Sequence, residues 1–93
     1  MEQLSLFDPV LLRAAHLIAH SPRNAFYSLR LERIGPRFRV GKSSGAGSRV
    51  LDARSWEFST FPEASRFFER TLREKRNPER RSPRKYLLII EEG

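Results

Sequence analysis

The sequence contains no cysteine, and its 93 residues include only one methionine and one tryptophan. The lack of cysteine excludes disulfide bonds, thiolate zinc sites and cysteine nucleophiles, and it is typical of a protein from a reducing compartment. Long apolar runs are also missing: residues 10–18 are interrupted by Arg13 and His16 and are far too short to span a bilayer. Acidic Glu2 and Asp8 stand where a signal peptide carries positive charge. We therefore expect a cytoplasmic protein without a membrane partner.

Positive charge is what the sequence has in excess. Lysine and arginine number 18 against 11 aspartates and glutamates, which gives a net charge of +7 and a pI near 11.0. A surface this basic attracts polyanions, because contacts to phosphates release condensed counterions. The composition favours nucleic acid as the partner. The alternative is a highly charged surface that has no polyanionic partner.

The beginning of the chain has the pattern of a helix. Asp8 is a good N-cap, and Pro9 is tolerated at the first helical position because its missing N–H would have no partner there. Apolar residues then recur at helical spacing as far as Ala19. The pattern predicts a flexible tail over residues 1–8 and a helix over residues 9–20.

Alternating residues further along predict a β-hairpin. Apolar and polar side chains alternate over residues 25–32, a turn follows at Gly35-Pro36, and residues 37–42 alternate again. In the first strand we expect one face to carry Tyr27, Leu29 and Leu31 and the other face to carry Ser28, Arg30 and Glu32. In the second strand we expect one face to carry Phe38 and Val40 and the other face to carry Arg37 and Arg39.

The middle of the chain is rich in glycine and serine. Residues 41–48 have the composition of a mobile loop, and residues 49–58 are expected to form a third strand. Thr60 and Glu63 then have the spacing of a capping box, followed by an apolar stripe at helical spacing. We expect this helix to end at Asn77-Pro78 and a strand to cover residues 86–90.

Several segments of residues 25–90 share their order and spacing with a known family. These segments are the strand Phe26-Tyr27-Ser28-Leu29-Arg30-Leu31, Gly41-Lys42 with Gly47-Ser48, the run from Phe58 to Ala64, and Arg73-Glu74-Lys75 with Tyr86. Together they resemble the WGR family, named for its Trp-Gly-Arg signature and found in poly(ADP-ribose) polymerases and small bacterial proteins. The resemblance implies DNA binding, largely without sequence preference, in repair or replication.

The resemblance departs from the signature at two positions. Val40 stands where the family has tryptophan, and Lys42 stands where it has arginine. In family members that bind DNA ends, the resemblance implies that the tryptophan packs on the terminal sugar, a contact that valine does not provide. Lys42 keeps the charge but lacks the planar fork that grips phosphate through two bonds.

The sequence as a whole predicts an α+β fold in one domain over residues 9–93. We expect a small antiparallel, WGR-like sheet over residues 25–90, packed by one main helix, with the N-terminal helix in addition. The proposed role is a nucleic-acid-binding module. The alternative is a protein–protein interaction module that has lost nucleic-acid binding together with the signature tryptophan.

The candidate nucleic-acid contacts are basic residues in two groups. We expect the first group to converge on one electropositive face that no carboxylate of the chain neutralises, with backbone N–H groups of Gly45 to Gly47 adding donors. The first group is Arg30, Arg37, Arg39, Lys42 and Arg49, and the second, after the main helix, is Arg80, Arg81, Arg84 and Lys85.

The N-terminal tail contains a short motif of its own. Gln3-Leu4-Ser5-Leu6-Phe7 resembles the pentapeptide by which bacterial repair and replication proteins bind the sliding clamp. In that interpretation Leu6 and Phe7 enter an apolar cleft and Gln3 forms a hydrogen bond at its rim. Leu4 is expected to bind the same partner. The alternative is that Leu6 or Phe7 packs against the first turns of the N-terminal helix.

Nothing in the sequence assembles an active site. No set of acids, Ser–His pair or metal-ligand cluster is indicated by spacing. We expect no catalytic residue, no metal, no cofactor and no small-molecule substrate.

Overall fold

A computed structural model describes residues 8–19, 23–77 and 86–92 of the chain. The elements follow the order β1 (Val10–Ala19), β2 (Ala25–Ile34), β3 (Arg37–Ala46), β4 (Arg49–Phe58), α1 (Phe61–Arg76) and β5 (Tyr86–Glu92). The strands form one five-stranded sheet in the order β4-β3-β2-β1-β5, and every neighbouring pair is antiparallel. The first four strands are therefore a meander, and α1 carries the chain back across the sheet to pair β5 with β1.

The hydrophobic core lies between α1 and one face of the sheet, called here the helix-side face. Alternate residues of β1 and β2 are buried there, together with Val40 of β3 and one stripe of α1. Aromatic contacts seal the edge nearest β4: the Phe67 ring lies 4.9 Å from Trp56 and 5.2 Å from Phe58, measured between centroids. The buried members are Ala15, Leu17, Ala19, Ala25, Tyr27, Leu29, Leu31, Val40, Ala64, Phe68 and Leu72.

The main helix begins as the capping box predicts. Thr60 is the N-cap, its Oγ1 accepts a hydrogen bond from the Glu63 backbone N–H at 3.4 Å, and its hydroxyl donates to the Glu63 carboxylate at 2.8 Å. The first contact satisfies a backbone N–H that a helix terminus otherwise leaves unpaired, and the second joins the two side chains of the box. At the other end, basic residues of the last turn favour the negative end of the helix dipole.

The β2–β3 hairpin confirms the predicted alternation. Leu29 and Leu31 are at most 1% exposed on the helix-side face, whereas Arg30 between them is exposed on the other. Gly35 in the turn has φ of 58°, the left-handed region in which a side chain is unfavourable. The predicted strand over residues 49–58 is β4.

The prediction of an additional N-terminal helix over residues 9–20 is wrong. Residues 10–19 form β1, which pairs with β2 on one side and β5 on the other, so the molecule is mostly β with α1 as the only described helix. A short apolar run does not distinguish a helix from a strand buried between neighbours. Here, pairing along both edges satisfies the backbone groups that a helix would satisfy internally.

The prediction of a mobile loop over residues 41–48 is also wrong for most of its length. β3 continues through Ala46 and pairs with β2 and β4, leaving only Gly47 and Ser48 as the turn. The strand requires glycine at position 45. At the β-bulge there, a Cβ atom on Gly45 would lie 1.9 Å from the Arg49 carbonyl oxygen. The local composition signalled flexibility, but the glycine allows a close backbone approach within the sheet.

Among the described residues, no helix has the length and apolar character needed to cross a membrane.

Candidate functional site

The second face of the sheet, called here the open face, is not covered by α1. Directly opposed residues of neighbouring antiparallel strands lie on the same face, so the register gives its layout across β1, β2, β3 and β4. The successive rows of the open face are Ala14, Arg30, Gly41 and Ser55; then His16, Ser28, Ser43 and Ala53; then Ile18, Phe26, Gly45 and Val50. Most of these side chains are small.

The predicted cations do not all share this face. Arg30, Arg37 and Arg39 lie on it, as the alternation predicts. Lys42 is opposite Leu29 and lies on the helix-side face, with its Nζ 5.6 Å from the centre of the Tyr27 ring. The structure therefore divides the first predicted group between the two sides of the sheet.

Carboxylates neutralise several of these cations. Arg39 Nη2 lies 3.1 Å from a Glu32 carboxylate oxygen, and Arg37 Nε lies 3.3 Å from one of Glu57. The expectation of a face without intramolecular carboxylates is therefore wrong. The physical cause is cross-strand pairing. Glu32 and Glu57 both lie opposite Arg39 in the register, and Glu57 is therefore a diagonal neighbour of Arg37.

Lys42 also has a carboxylate partner. Its Nζ donates to Asp52 Oδ2 at 2.6 Å, and Arg54 Nε lies 3.8 Å from the same oxygen. The hydrogen bond from Lys42, followed by the positive charges of Lys42 and Arg54, holds the pKa of Asp52 below its usual value of 3.8. This cluster is a structural ion-pair site on the helix-side face.

Arg30 differs from its neighbours. It is exposed, and no carboxylate pairs with it among the described residues. Its Nη2 atom lies 4.0 Å from the position that a Cβ atom would occupy on Gly41, so the guanidinium extends across β3. The fork of N–H donors is therefore presented on the open face above a residue that has no side chain.

Gly41 is not required by the fold. Its backbone does not have a positive φ, and a Cβ atom built on it would meet nothing closer than 4.0 Å. In this respect it differs from Gly45, where the bulge excludes a side chain, and from Gly47, whose φ is 61°. Gly41 is buried, and the absence of a side chain there lets the Arg30 guanidinium lie close to the backbone of β3.

Sequence reasoning missed a polar and aromatic group at the centre of the open face. His16 Nδ1 lies 2.6 Å from the Ser28 hydroxyl, and the His16 ring stacks on Phe26 with 6.0 Å between centroids and 25° between planes. The prediction of an N-terminal helix is the reason that this group was missed, because His16 lies beside Ser28 of β2 only when residues 10–19 form a strand. A strand prediction for residues 10–19, paired with residues 25–34, would have brought His16 and Ser28 together.

Two grooves meet at Arg30 on the open face. The first has a volume of about 340 Å³ and is lined by His16, Ser28, Arg30 and Ser43 among others. The second is of the same size, about 340 Å³, and extends from Arg30 over Gly41 toward Ser55 of β4. Hydroxyl, imidazole and guanidinium groups thus border a surface with short side chains, and all three are suitable donors for phosphate oxygens.

The remaining predicted contacts differ in their surroundings. Arg49 is exposed at the first residue of β4. The backbone N–H of Gly47, predicted to be a donor for a ligand, instead donates to the Asn24 carbonyl at 3.0 Å. Outside the described residues lie the second basic group (Arg80, Arg81, Arg84 and Lys85) and the predicted clamp-binding residues (Gln3, Leu4, Leu6 and Phe7); both remain predictions from the sequence.

Within residues 8–19, 23–77 and 86–92, no group of three or more histidine, aspartate or glutamate side chains is placed to hold a metal ion. Comparison of the chain with models of protein families, with curated proteins and with solved structures finds no match.

Proposed function

We propose that this chain binds nucleic acid, largely without sequence preference, through the open face of its sheet. The single observation that carries the proposal is Arg30, an exposed guanidinium without a carboxylate partner among the described residues, which extends over Gly41 between two grooves. The net charge of +7 gives the electrostatic attraction that brings a polyanion to the surface.

The residues around Arg30 support contact with a phosphate backbone rather than reading of base edges. Ser43 offers a hydroxyl donor, and Arg39 keeps further N–H groups beside its pair with Glu32. No asparagine or glutamine, the side chains that pair with adenine edges, lies in the open-face rows, and Arg30 is the single residue of those rows with the donor fork that pairs with guanine. We therefore expect such a surface to bind the phosphate backbone, with little dependence on base sequence.

The WGR resemblance belongs to this proposal, but it does not supply the contact residues. The signature positions Val40 and Lys42 both face the helix side: Val40 is fully buried, and Lys42 is bonded to Asp52. We therefore assign the principal phosphate contact to Arg30, which lies in the strand that opens the resemblance. Among nucleic acids, the resemblance favours DNA and a role in repair or replication.

A protein-interaction module is the second candidate, and β4 favours it. At the edge of the sheet, Val50 is 55% exposed and Leu51 is 62% exposed. Exposed apolar side chains on an edge strand are suited to pairing with another chain. This function needs neither Arg30 nor phosphate.

The experiment compares Arg30→Glu with Arg66→Glu, which makes the same charge change at an exposed arginine of α1. Binding of short labelled oligonucleotides is measured by fluorescence anisotropy at several salt concentrations. We expect Arg30→Glu to weaken binding by about tenfold or more, as loss of a charged hydrogen-bonding group does. Arg66→Glu should cause a much smaller loss.

The dependence on salt gives a second measurement. Loss of one phosphate contact should reduce the slope of log affinity against log salt by about 0.7 to 0.9. Equal losses from the two substitutions would remove Arg30 from its assigned role. If the wild-type chain binds no oligonucleotide at low salt, the nucleic-acid proposal fails and the protein-interaction module is favoured.

A further inference from the structure

The stacked rings on the open face have no role in holding the core. Phe26 and His16 are both half-buried and lie on the side of the sheet away from α1. Their near-parallel arrangement is fixed, because the Ser28 hydroxyl bonds to His16 Nδ1 at 2.6 Å and holds the imidazole ring. A flat aromatic surface is therefore ordered before any ligand arrives, which lowers the entropic cost of binding.

The floor next to these rings has room for a flat group. Phe26 is opposite Gly45, and His16 lies in the row that continues through Ser28 and Ser43 to Ala53. Gly45, Ser28, Ser43 and Ala53 are no longer than serine, and the larger Ile18 and Val50 lie at the two ends of the Phe26 row. The groove between His16 and Arg30 has a volume of about 340 Å³.

Arg30 stands on the same strand and the same face as Phe26, four residues further along β2. At about 3.4 Å per residue the two positions are roughly 13–14 Å apart. The groove runs from His16, which stacks on Phe26, to Arg30, so an aromatic ring pair and a guanidinium match the two parts of a nucleotide chain, the base and the phosphate. This combination characterises surfaces that bind single strands.

The distribution of charge on the open face disfavours a duplex. Tight duplex binding depends on many phosphate contacts at once. Arg37 and Arg39 are paired with Glu57 and Glu32, so these two arginines add little net positive charge to the open face. In addition, a half-buried ring cannot stack on a base that is already stacked and paired within a duplex.

From these observations we infer that the open face binds single-stranded nucleic acid, with an unpaired base stacked on the Phe26–His16 ring pair and a phosphate on Arg30. This inference rests on the proposed function and names its substrate class. Base identity matters little, since every base has a flat face that can stack.

The test is a cycle of two changes, one in the protein and one in the ligand. Phe26→Leu keeps an apolar side chain but removes the flat ring; Phe61→Leu is the matched control at an exposed phenylalanine of α1. The probes are a labelled oligothymidylate, an abasic strand with the same number of phosphates, and a hairpin duplex. Phe26→Tyr, which keeps a ring, is the rescue variant.

We expect the wild type to prefer oligothymidylate over the duplex and over the abasic strand. Phe26→Leu should weaken binding of oligothymidylate by about fivefold to a hundredfold, the range for one base stacked on an aromatic side chain. The same variant should bind the abasic strand as the wild type does, so the effects of removing the ring and removing the base are not additive. Phe61→Leu should change none of these affinities, and Phe26→Tyr should restore most of the loss.

Other results overturn the inference. Duplex binding as tight as single-strand binding, or additive effects of the two changes, would exclude a base on the ring pair while leaving Arg30-dependent nucleic-acid binding in place. Loss of duplex and abasic binding together with oligothymidylate binding in Phe26→Leu would also exclude it. Absence of binding to every probe would overturn the proposed function and the inference together.

Discussion

The two faces of the same sheet have opposite constructions. On the helix-side face, buried aliphatic and aromatic residues of the strands pack against Phe67, Phe68 and Leu72 of α1. On the open face, the residues that alternate with them along the strands are mostly glycine, alanine and serine. The same face carries a single ring pair and one arginine that lacks a carboxylate partner among the described residues. Because strand side chains alternate, each strand contributes to both.

The difference separates stability from recognition. Burial of apolar surface on the helix-side face provides the main favourable term in folding. The open face buries little apolar surface, so its residues can be substituted at small cost in stability and can serve for contact with a partner. Substitutions on the helix-side face should therefore lower stability, and substitutions on the open face should change binding of a partner.

The largest expected effect is on the helix-side face. Phe68 of α1 is fully buried between the helix and the sheet, and Phe68→Ala leaves a cavity in the core. We expect the free energy of unfolding to fall by about 3–5 kcal/mol, measured by urea denaturation. The comparison on the open face is Ser55→Ala, which should stay within about 0.5 kcal/mol of the wild type. Similar losses from the two substitutions would contradict the division between the faces.

Glycines of β3 make a sharper comparison within a single strand. At Gly45, alanine would place a Cβ atom 1.9 Å from the Arg49 carbonyl oxygen, so the bulge must shift. We expect Gly45→Ala to destabilise the protein by about 1–3 kcal/mol. At Gly41 the added Cβ atom has 4.0 Å of space, so Gly41→Ala should be neutral or stabilise by up to about 1 kcal/mol.

The same pair separates fold from function. If Gly41 is present so that the Arg30 guanidinium can lie across β3, Gly41→Ala should displace the guanidinium and lower oligonucleotide affinity while the thermal midpoint stays the same or rises. The affinity is measured by anisotropy and the midpoint by circular dichroism. Unchanged affinity would show that the position of Arg30 over Gly41 does not matter for binding of the ligand.

The sequence predicted those parts of the fold that short-range chemistry determines. Thr60 and Glu63 specify the helix start through a local hydrogen-bonded box, and the alternation around Leu29 and Leu31 specifies a half-buried strand. Both signals are complete within a few residues. The β2–β3 hairpin and α1 were therefore predictable.

The errors occurred where the decisive contacts are distant in the chain. Residues 10–19 are a strand because β2 and β5 pair with both edges, and the β5 partner lies about seventy residues away along the sequence. The extension of β3 through Ala46 depends on pairing with Ala25 and on the bulge at Gly45. Neither partnership leaves a mark on local composition.

The candidate site was predictable only in part for the same reason. Alternation placed Arg30, Arg37 and Arg39 on one face, but it did not show that Glu32 and Glu57 pair with the latter two. The ring pair of His16 and Phe26 required β1 and β2 to be neighbours. Cross-strand register, which sequence alone did not give, decides which cations remain available.

The smallest expected effect concerns Lys42, which the sequence assigned to phosphate and the structure bonds to Asp52. Because the pKa of Asp52 is lowered in the folded protein, its contribution to stability is fully present well above 3.8 and is lost as pH falls through the lower folded value. Asp52→Asn should therefore lower the thermal midpoint slightly at neutral pH, and the difference from the wild type should disappear in acid.

The partner variant Lys42→Met tests whether this effect belongs to the pair. In the Lys42→Met background, Asp52→Asn should have a smaller effect on the midpoint, because the principal hydrogen bond to Asp52 is already absent. Lys42→Met should also leave oligonucleotide affinity close to that of the wild type, since Lys42 lies on the helix-side face. A loss of affinity as large as that of Arg30→Glu would mean that the ligand reaches both sides of the sheet, and the open face would no longer be the whole site.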